Sequence, residues 1–254
     1  MGRVRIGTSG WVYRDWKGPF YPEALPAKRW LGFYASRFET TEINGSFYRL
    51  PSEAAVKGWA DTAPEGFVFA WKASRYITHA KKLKDVGDSL ALVFGRMDPL
   101  GSHFGPVLFQ LPPQLRRDDE RLARFLDQLP PHRRCAVEFR DPSWYAPAVL
   151  DRLREHGAAL CISDHAAAPS PWEATADFLY VRPRAERSLF RPLRRSRPGA
   201  VGGAPGRFRR RRLRLFRQRH QERRTVRRRA ADRPARRIAL KVLRAAQKSH
   251  YIWG

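Results

Sequence analysis

The stretch "CAVEFRDPSWYAPAVLDRLREHGAALCIS" (135–163) contains two short apolar runs separated by a segment with helical spacing. The runs "CAVEFR" (135–140) and "AALCIS" (158–163) are rich in apolar residues without strict alternation, which is typical of strands covered on both faces. Between them, "SWYAPAVLDRLREHG" (143–157) places apolar residues three and four positions apart, as on one face of a helix. The stretch therefore predicts a parallel β-α-β unit.

The same alternation recurs along the first 182 residues. Five more apolar runs predict strands: "VRIGTSG" (4–10), "FETTEI" (38–43), "FVFAWKA" (67–73), "PVLFQL" (106–111) and "DFLYVR" (177–182). Seven parallel strands with intervening helices are typical of an α/β, TIM-barrel-like (β/α) barrel that lacks one of its eight strands. A doubly wound open sheet is the alternative, but the chain has no glycine-rich phosphate loop opening a helix.

Helical patterns lie between several of these strands. Besides 143–157, the segments are "PAKRWLGFYASR" (26–37), "DVGDSLALVFGRM" (85–97) and "RDDERLARFLDQL" (117–129). We predict Asp118 and Ser143 as N-caps, because their side-chain oxygens accept hydrogen bonds from the free backbone N–H groups of a first helical turn. Gly157 is the predicted C-cap.

Charge divides the chain into two parts. Of a formal net charge of +26, residues 183–254 carry +22, from 25 Lys and Arg against three acidic residues. Residues 1–182 are close to neutral at +4, which is ordinary for a globular domain. We therefore predict a partial TIM-barrel-like domain over 1–182 and an Arg- and Pro-rich, disordered tail over 183–254.

Polar side chains cluster at the predicted carboxyl ends of the strands, where TIM barrels carry their chemistry. We predict that Glu42, Lys72 and Glu138 are catalytic, because two carboxylates and an amine supply an acid, a base or a nucleophile. The predicted substrate-binding residues lie beside them or at equivalent strand ends: Trp11, Asn44, Tyr48, His79, Gln110, Arg140, Trp144, Asp164 and Arg182. Burying so many charges is costly unless they face one another or a polar ligand, so we expect a shared cleft.

Other roles fit some of these residues. Glu138 and Lys72 would also form a structural ion pair, and each tryptophan taken singly fits a core position better than a ligand platform. His79, Glu138 and Asp164 are residue types that bind metals, but no spacing demands a metal, and we predict none. The sequence does not identify a cofactor.

Five motifs in order resemble the domain-of-unknown-function 72 (DUF72) family of bacterial and archaeal proteins. They are "GTSGWVYRDWKGPFYP" (7–22), "TTEINGSFYRLP" (40–51), "FVFAWKASRYITH" (67–79), "GPVLFQLPP" (105–113) and "AVEFRDPSW" (136–144). The resemblance covers residues 3–182 and implies a TIM-barrel-like fold with a polar site at the strand ends. It implies no particular reaction, because none is established for the family.

The tail departs from the family pattern directly after the seventh strand. The resemblance implies an eighth strand ending in Phe-(Asn/Asp)-Asn-Asp, whereas this chain continues "PRAERSLFRPLRR" (183–195). Reading the degenerate codons of residues 216–228 one base downstream permits Phe-Asp-Asn-Asp, and the same frame permits His-Gly after Arg182. We therefore predict that 183–254 is read out of frame. A genuine basic arm that binds phosphates is the alternative.

Three functions fit this sequence. The first is an enzyme acting on a small polar, sugar-like or phosphorylated substrate, with Arg140 and Lys72 binding its anionic group. The second is a non-catalytic barrel that binds the same kind of ligand. The third is non-specific nucleic-acid binding through the basic tail.

The expected compartment follows from what the sequence lacks. No apolar run approaches the length of about 18 residues that a membrane span needs, and the start has no apolar core typical of a signal peptide. Cys135 and Cys161 are too few for a disulfide framework, and each lies in an apolar run, so we predict buried, reduced thiols. We expect a cytoplasmic protein with a small-molecule ligand and no membrane partner.

Overall fold

The strands of the chain form one curled sheet. The computed structural model describes residues 3–182, and its seven strands are parallel and lie in chain order. They are β1 (Gly7–Thr8), β2 (Thr40–Ile43), β3 (Val68–Lys72), β4 (Phe104–Gln110), β5 (Cys135–Glu138), β6 (Ala159–Ser163) and β7 (Tyr180–Arg182). A doubly wound sheet would reverse its strand order at a switch point, and this sheet does not. The prediction of an incomplete TIM-barrel-like α/β fold is therefore confirmed.

Five α-helices lie between the strands. They are α1 (Trp30–Ala35), α2 (Glu53–Thr62), α3 (Gly87–Met97), α4 (Asp119–Leu126) and α5 (Pro147–Glu155). Helix α2 is absent from the sequence-based prediction; it buries Val56 fully, and its Trp59 and Ala60 pack against the core while partly exposed. Its start is nevertheless well marked, since the Ser52 side chain accepts a hydrogen bond from the backbone N–H of Ala55.

The predicted helix caps are partly correct. Asp118 caps α4 by accepting a hydrogen bond from the backbone N–H of Arg121 at 2.9 Å. Gly157 follows α5 with a φ of 61°, the left-handed conformation that favours glycine. The prediction for Ser143 is wrong, because Pro147 occupies the first position of α5 and Ser143 lies in the preceding 3₁₀ turn.

The two faces of the sheet carry different cores. The outer face, turned towards the helices, bears large side chains such as Trp71, Phe109 and Val137, which belong to one extensive apolar cluster. The inner face bears a small cluster of Leu108, Ala136, Ala159 and Cys161. Because successive residues of a strand point to opposite faces, this alternation determines which strand-end residues point into the barrel. Both cysteines are buried free thiols, as predicted.

Two glycines permit a close approach between neighbouring strands. A Cβ atom at Gly7 would lie 1.8 Å from the carbonyl oxygen of Thr40 on β2. A Cβ atom at Gly105 on β4 would lie 2.4 Å from the Val68 side chain and 2.7 Å from the carbonyl oxygen of Phe69. A larger residue at either position would push the two strands apart.

The barrel is open between β7 and β1 within residues 3–182, because neither strand pairs along its outer edge there. The curl nevertheless brings β7 to β2, since the Tyr180 hydroxyl donates a hydrogen bond to Glu42 at 2.8 Å. Within this range, every helix is too short or too polar to cross a membrane. The predicted tail, residues 183–254, and its out-of-frame reading lie outside the described residues.

Candidate functional site

Each strand, or the residue directly after it, places one polar side chain at the inner carboxyl end. These residues, here called the polar ring, are Ser9, Glu42, Lys72, Gln110, Glu138, Ser163 and Arg182. On β4 and β5, Gln110 and Glu138 follow Leu108 and Ala136 of the inner cluster by two positions. Since side chains alternate along a strand, the ring members point to the barrel interior.

Glu138 is the most enclosed charge of the polar ring, with no exposed side-chain surface. Its Oε1 lies 2.5 Å from Nη2 of Arg140, and its Oε2 accepts a hydrogen bond from Nε2 of Gln110 at 2.7 Å. Nη1 of Arg182 lies 3.7 Å from the same Oε2. Both carboxylate oxygens are therefore occupied, and Glu138 holds two arginines and an amide in place.

Glu42 forms the second anionic centre of the ring. Nε of Arg182 lies 3.1 Å from Oε2 and Nη2 lies 3.2 Å from Oε1, which is a two-pronged ion pair. The hydroxyls of Ser9 and Tyr180 donate to the same carboxylate at 3.1 and 2.8 Å. Burial lowers the pKa of Arg182, but Glu42 and Glu138 outweigh it and raise that pKa above its usual range. Arg182 is therefore charged at every physiological pH.

Lys72 differs from the arginines in having no close counter-charge. Among residues 3–182, no carboxylate lies within 4 Å of its Nζ, so the Glu138–Lys72 ion pair considered from the sequence is not formed. The Nζ atom instead lies 4.1 Å from the centroid of the Phe47 ring, a cation–π contact. Lys72 is 7% exposed. Its burial, together with the positive charge of Arg182, lowers the pKa of Lys72 from 10.5 to about 8.

Arg140 enters the site from the loop directly after β5. Its side chain is 10% exposed, and its Nη2 pairs with Glu138. Its Nε is buried and makes no hydrogen bond to the described part of the chain. A buried donor without a partner costs about 1–3 kcal/mol, so a ligand oxygen at this position would remove that cost.

His79 lies beside Lys72 on a π-helical turn, Tyr76–Ala80, that follows β3. Its ring packs edge-on against Phe47, with 5.0 Å between the ring centroids, and its Nδ1 lies 2.9 Å from Oγ1 of Thr78. Burial, reinforced by the charge of Lys72, lowers the pKa of His79 from 6.5. The imidazole is therefore neutral at pH 7 and able to accept or donate a proton.

A pocket of about 820 Å³ opens beside the polar ring, on the side of β1 and β2. Ser9 belongs to both, because it lines the pocket and donates a hydrogen bond to Glu42. Trp11, Tyr48 and Trp59 contribute aromatic lining. Asn44 contributes an Oδ1 atom that is buried and has no hydrogen-bond partner within residues 3–182. The volume is typical of sites for small molecules.

Most of the predicted site residues come together in two adjoining regions. Gln110, Arg140 and Arg182 contact the ring carboxylates, and His79 lies beside Lys72. Trp11, Asn44 and Tyr48 line the adjoining pocket. Tyr48 is largely exposed, at 73%, whereas Trp11 packs edge-on against Trp59 and presents only a small part of its surface.

Two predicted residues lie outside these regions. Trp144 is fully buried, and its indole N–H donates a hydrogen bond to the carbonyl oxygen of Leu115 at 2.7 Å, so it is a core residue here. Asp164 is exposed and lies one position past β6. Ser163 is the residue that faces the ring, with its hydroxyl 3.5 Å from Oε1 of Glu138.

Ser9, Ser163 and Tyr180 are ring contacts that the sequence analysis does not identify. Ser9 and Tyr180 both donate to Glu42. Alternation along the run 158–163 identifies Ser163, because it lies two positions after Cys161 of the inner cluster, whereas the run 4–10 carries no such signal for Ser9. Tyr180 has no such signal, since the pattern alone does not say which strand it faces across the barrel.

The charges of the site do not balance. Arg140, Arg182 and Lys72 carry three positive charges, and Glu42 and Glu138 carry two negative ones. Both carboxylates contact the arginines, and Lys72 is the cation of these three that has no carboxylate within 4 Å among residues 3–182. Within the described residues, no three His, Cys, Asp or Glu side chains come together as metal ligands.

Comparison with known proteins identifies a matching family model and two curated relatives. The family model described as "Protein of unknown function DUF72" matches residues 5–240. Over 161 residues, the chain is 32% identical to UPF0759 protein YecE of Escherichia coli K12 and 27% identical to UPF0759 protein YunF of Bacillus subtilis. These matches cover 59% of this chain and 59% and 55% of the relatives, so less than two thirds of the relatives' length is spanned.

Solved structures of two family members have the same fold. A DUF72 family protein from Thermotoga maritima is 28% identical, with a TM-score of 0.64 over 74% of this chain and 78% of that one. A DUF72 family protein from Enterococcus faecalis is 20% identical, with a TM-score of 0.61 over 76% of this chain and 75% of that one, and supports the fold alone. Since the family model matches well over half of its residues, the chain belongs to the DUF72 family.

Proposed function

We propose that the protein is an enzyme that binds a small, polar, anionic substrate at the polar ring. The observation that carries this proposal is the ammonium group of Lys72, which is buried without a carboxylate within 4 Å among residues 3–182. A buried, unpaired charge is expensive, and proteins keep one where a ligand of opposite charge binds. A phosphate or carboxylate group supplies that charge.

Arg140 supports the same assignment. Its Nη2 is held by Glu138, which fixes the guanidinium plane, while its buried Nε has no hydrogen-bond partner within residues 3–182. A guanidinium held in this way presents an N–H donor with little loss of side-chain entropy when an anion binds. Lys72 and Arg140 therefore bind the anionic group together, the first as a point charge and the second as a directed donor.

The two carboxylates have a different role from the one expected of a free acid and base. Glu138 is enclosed by Arg140, Gln110 and Arg182, and Glu42 by Arg182. Carboxylates with both oxygens occupied position their partners rather than transfer protons to a ligand. His79, which is neutral at pH 7, is the better placed proton carrier of the site.

The adjoining pocket accommodates the uncharged part of the substrate. Its volume of about 820 Å³ exceeds what a phosphate alone requires. Aromatic side chains pack against the faces of sugar or other ring systems, and Asn44 offers a buried oxygen that lacks a donor. A sugar-like or similarly hydroxylated molecule with one anionic group fits this combination.

Anion binding is tested on the full chain with inorganic phosphate and with acetate, at constant ionic strength. The measured quantity is the rise in unfolding free energy with anion concentration, from which Kd follows. We expect Lys72→Met and Arg140→Met each to weaken binding at least ten-fold. Lys57→Met, which removes an exposed lysine from α2, should leave Kd unchanged.

The comparison also accounts for the basic tail, because the parent chain and the three variants Lys72→Met, Arg140→Met and Lys57→Met all carry the same residues 183–254. Equal affinity in all four would overturn the proposal, since binding would then come from positive charge elsewhere. A non-catalytic ligand-binding barrel is the alternative function. Mass spectrometry of a ligand that co-purifies with the chain, followed by incubation, separates the two, because only an enzyme converts that ligand.

A further inference from the structure

We infer that Lys72 is a nucleophile whose amine forms an imine with the carbonyl carbon of an anionic aldehyde or ketone. This inference rests on the proposed function and assigns the chemical class of the substrate. It follows from the position of the Lys72 amine relative to the nearby charged side chains and to the phenyl ring of Phe47.

The first observation is that Lys72 is positioned but not paired. Its backbone belongs to β3, in register with Leu108 of β4, and its carbonyl oxygen accepts a hydrogen bond from the Ser46 hydroxyl at 2.7 Å. The Phe47 ring lies against its Nζ. A lysine retained for stability would contact Glu42 or Glu138, yet the arginines contact both of these carboxylates.

The second observation is the charge around the amine. Burial has the largest effect and disfavours the protonated form of Lys72, as do Arg182 and, more weakly, Arg140. Glu42 and Glu138 act in the opposite direction without cancelling these effects, so the pKa of Lys72 is lowered. With a pKa of about 8, about a quarter of the Lys72 amines are unprotonated at pH 7.5, against about one in a thousand for an ordinary lysine. The unprotonated amine is the form that attacks a carbonyl group.

The covalent step balances with groups that the site, the substrate and the solvent supply. The lone pair of Nζ attacks the carbonyl carbon, a C–N bond forms as the C=O π bond breaks, and the proton that Nζ loses is transferred to the oxygen to give a neutral carbinolamine. A second proton, drawn from solvent, lets that hydroxyl leave as water, and the nitrogen lone pair forms a protonated C=N bond, with no net oxidation. His79 is the proton carrier, since its neutral ring lies beside Lys72 and contacts the same Phe47 side chain.

Arg140 selects carbonyl compounds that carry an anion. Its buried Nε, which has no partner in the described part of the chain, is the donor for a carboxylate or phosphate of the same molecule whose carbonyl carbon reaches Lys72. Binding the anion converts attack on the carbonyl into an intramolecular step, which raises its rate by orders of magnitude. Neutral carbonyl compounds should therefore react slowly.

Reductive trapping on the full chain tests the inference. The chain is incubated at pH 7.5 with pyruvate or with pyridoxal 5′-phosphate and cyanoborohydride, and the rate at each of its nine lysines is measured by peptide mass spectrometry. The two probes distinguish a carboxylate from a phosphate. We expect at least one of them to modify Lys72 ten-fold or more faster than the exposed Lys57.

Two comparisons make the result specific. Arg140→Met should slow modification of Lys72 at least ten-fold without affecting Lys57, and excess inorganic phosphate should do the same to the parent chain. Labelling of the lysines in order of their exposure, with Lys72 last, would overturn the inference. If phosphate still stabilises the chain in that case, the proposed anion binding stands. Acetone is the neutral counterpart of pyruvate. Equal labelling of Lys72 by the two would show that its amine is reactive but would contradict an anion site beside it.

Discussion

Replacing Lys72 by methionine should stabilise the protein at neutral pH. Lys72 is 7% exposed, and within residues 3–182 no carboxylate lies within 4 Å of its Nζ. Its pKa falls from 10.5 to about 8, first because of burial and then because of Arg182. The folded protein therefore binds this proton less tightly than the unfolded chain. Methionine keeps an unbranched apolar side chain and has no charge to desolvate.

The magnitude follows from the two pKa values. A pKa difference of one corresponds to about 1.4 kcal/mol, so the lowered pKa of Lys72 corresponds to a destabilisation of about 3 kcal/mol well below pH 8. Between pH 8 and 10.5, the unfolded chain binds more protons at this position than the folded protein does. The free energy of unfolding therefore rises with pH in this window, and about 1 kcal/mol of the destabilisation remains at pH 9.5.

Urea unfolding of the parent chain and of Lys72→Met at pH 6.5, 8 and 9.5 measures this effect. The quantity of interest is the difference between the two chains, because groups remote from Lys72 contribute equally to both and cancel. We expect Lys72→Met to be more stable by about 3 kcal/mol at pH 6.5 and by about 1 kcal/mol at pH 9.5. Lys57→Met provides the control and should show no pH-dependent difference.

Two results would refute this reasoning. A difference that stays constant from pH 6.5 to 9.5 would mean that Lys72 titrates alike in the folded and unfolded states. A loss of stability in Lys72→Met at pH 6.5 would mean that attraction to Glu42 and Glu138 outweighs desolvation. In the second case, the surplus positive charge that supports anion binding would not exist.

Three further predictions concern the fold. Glu138→Gln should lower the unfolding free energy measured in urea by about 3 kcal/mol, because it leaves Arg140 and Arg182 without their counter-charge. An unchanged stability would mean that water replaces the carboxylate. Gly7→Ala should lower the unfolding free energy by about 3 kcal/mol, because its Cβ atom would meet the carbonyl oxygen of Thr40. The control Gly45→Ala should differ little from the parent chain, because a Cβ atom there meets nothing within 4 Å. Amide hydrogen exchange should show little protection across 205–230, and strong protection there would contradict the out-of-frame reading and favour a real basic arm.

The sequence by itself determined the order and direction of the strands. Short apolar runs such as 106–111 and 135–140 are only six residues long and rich in Val, Leu and Phe, which favours strands buried on both faces over helices. Their alternation with helical segments leaves parallel pairing as the arrangement with short connections. Because parallel strands end at one edge, the sequence also placed Glu42, Lys72, Gln110 and Glu138 at the same end of the barrel.

The sequence did not determine which residue at a strand end points inward. The run ending in "ISD" suggested Asp164, but the strand ends at Ser163, and a shift of one residue moves a side chain to the other face. Helix α2 was missed for a related reason. Val56 is its one fully buried residue, and Trp59 and Ala60 pack against the core while staying partly exposed, so its apolar stripe is short.

Only the tertiary structure decided which charges pair. Arg182 and Glu42 are 140 residues apart, and they meet because the curl of the sheet carries β7 across to β2. Sequence patterns report local burial, whereas this contact depends on the accumulated twist and tilt of seven strands. The same curl of the sheet brings the two carboxylates to Arg140 and Arg182, and among residues 3–182 it leaves Lys72 without a carboxylate within 4 Å. The chemistry proposed for Lys72 therefore depends on a long-range contact in which Lys72 itself takes no part.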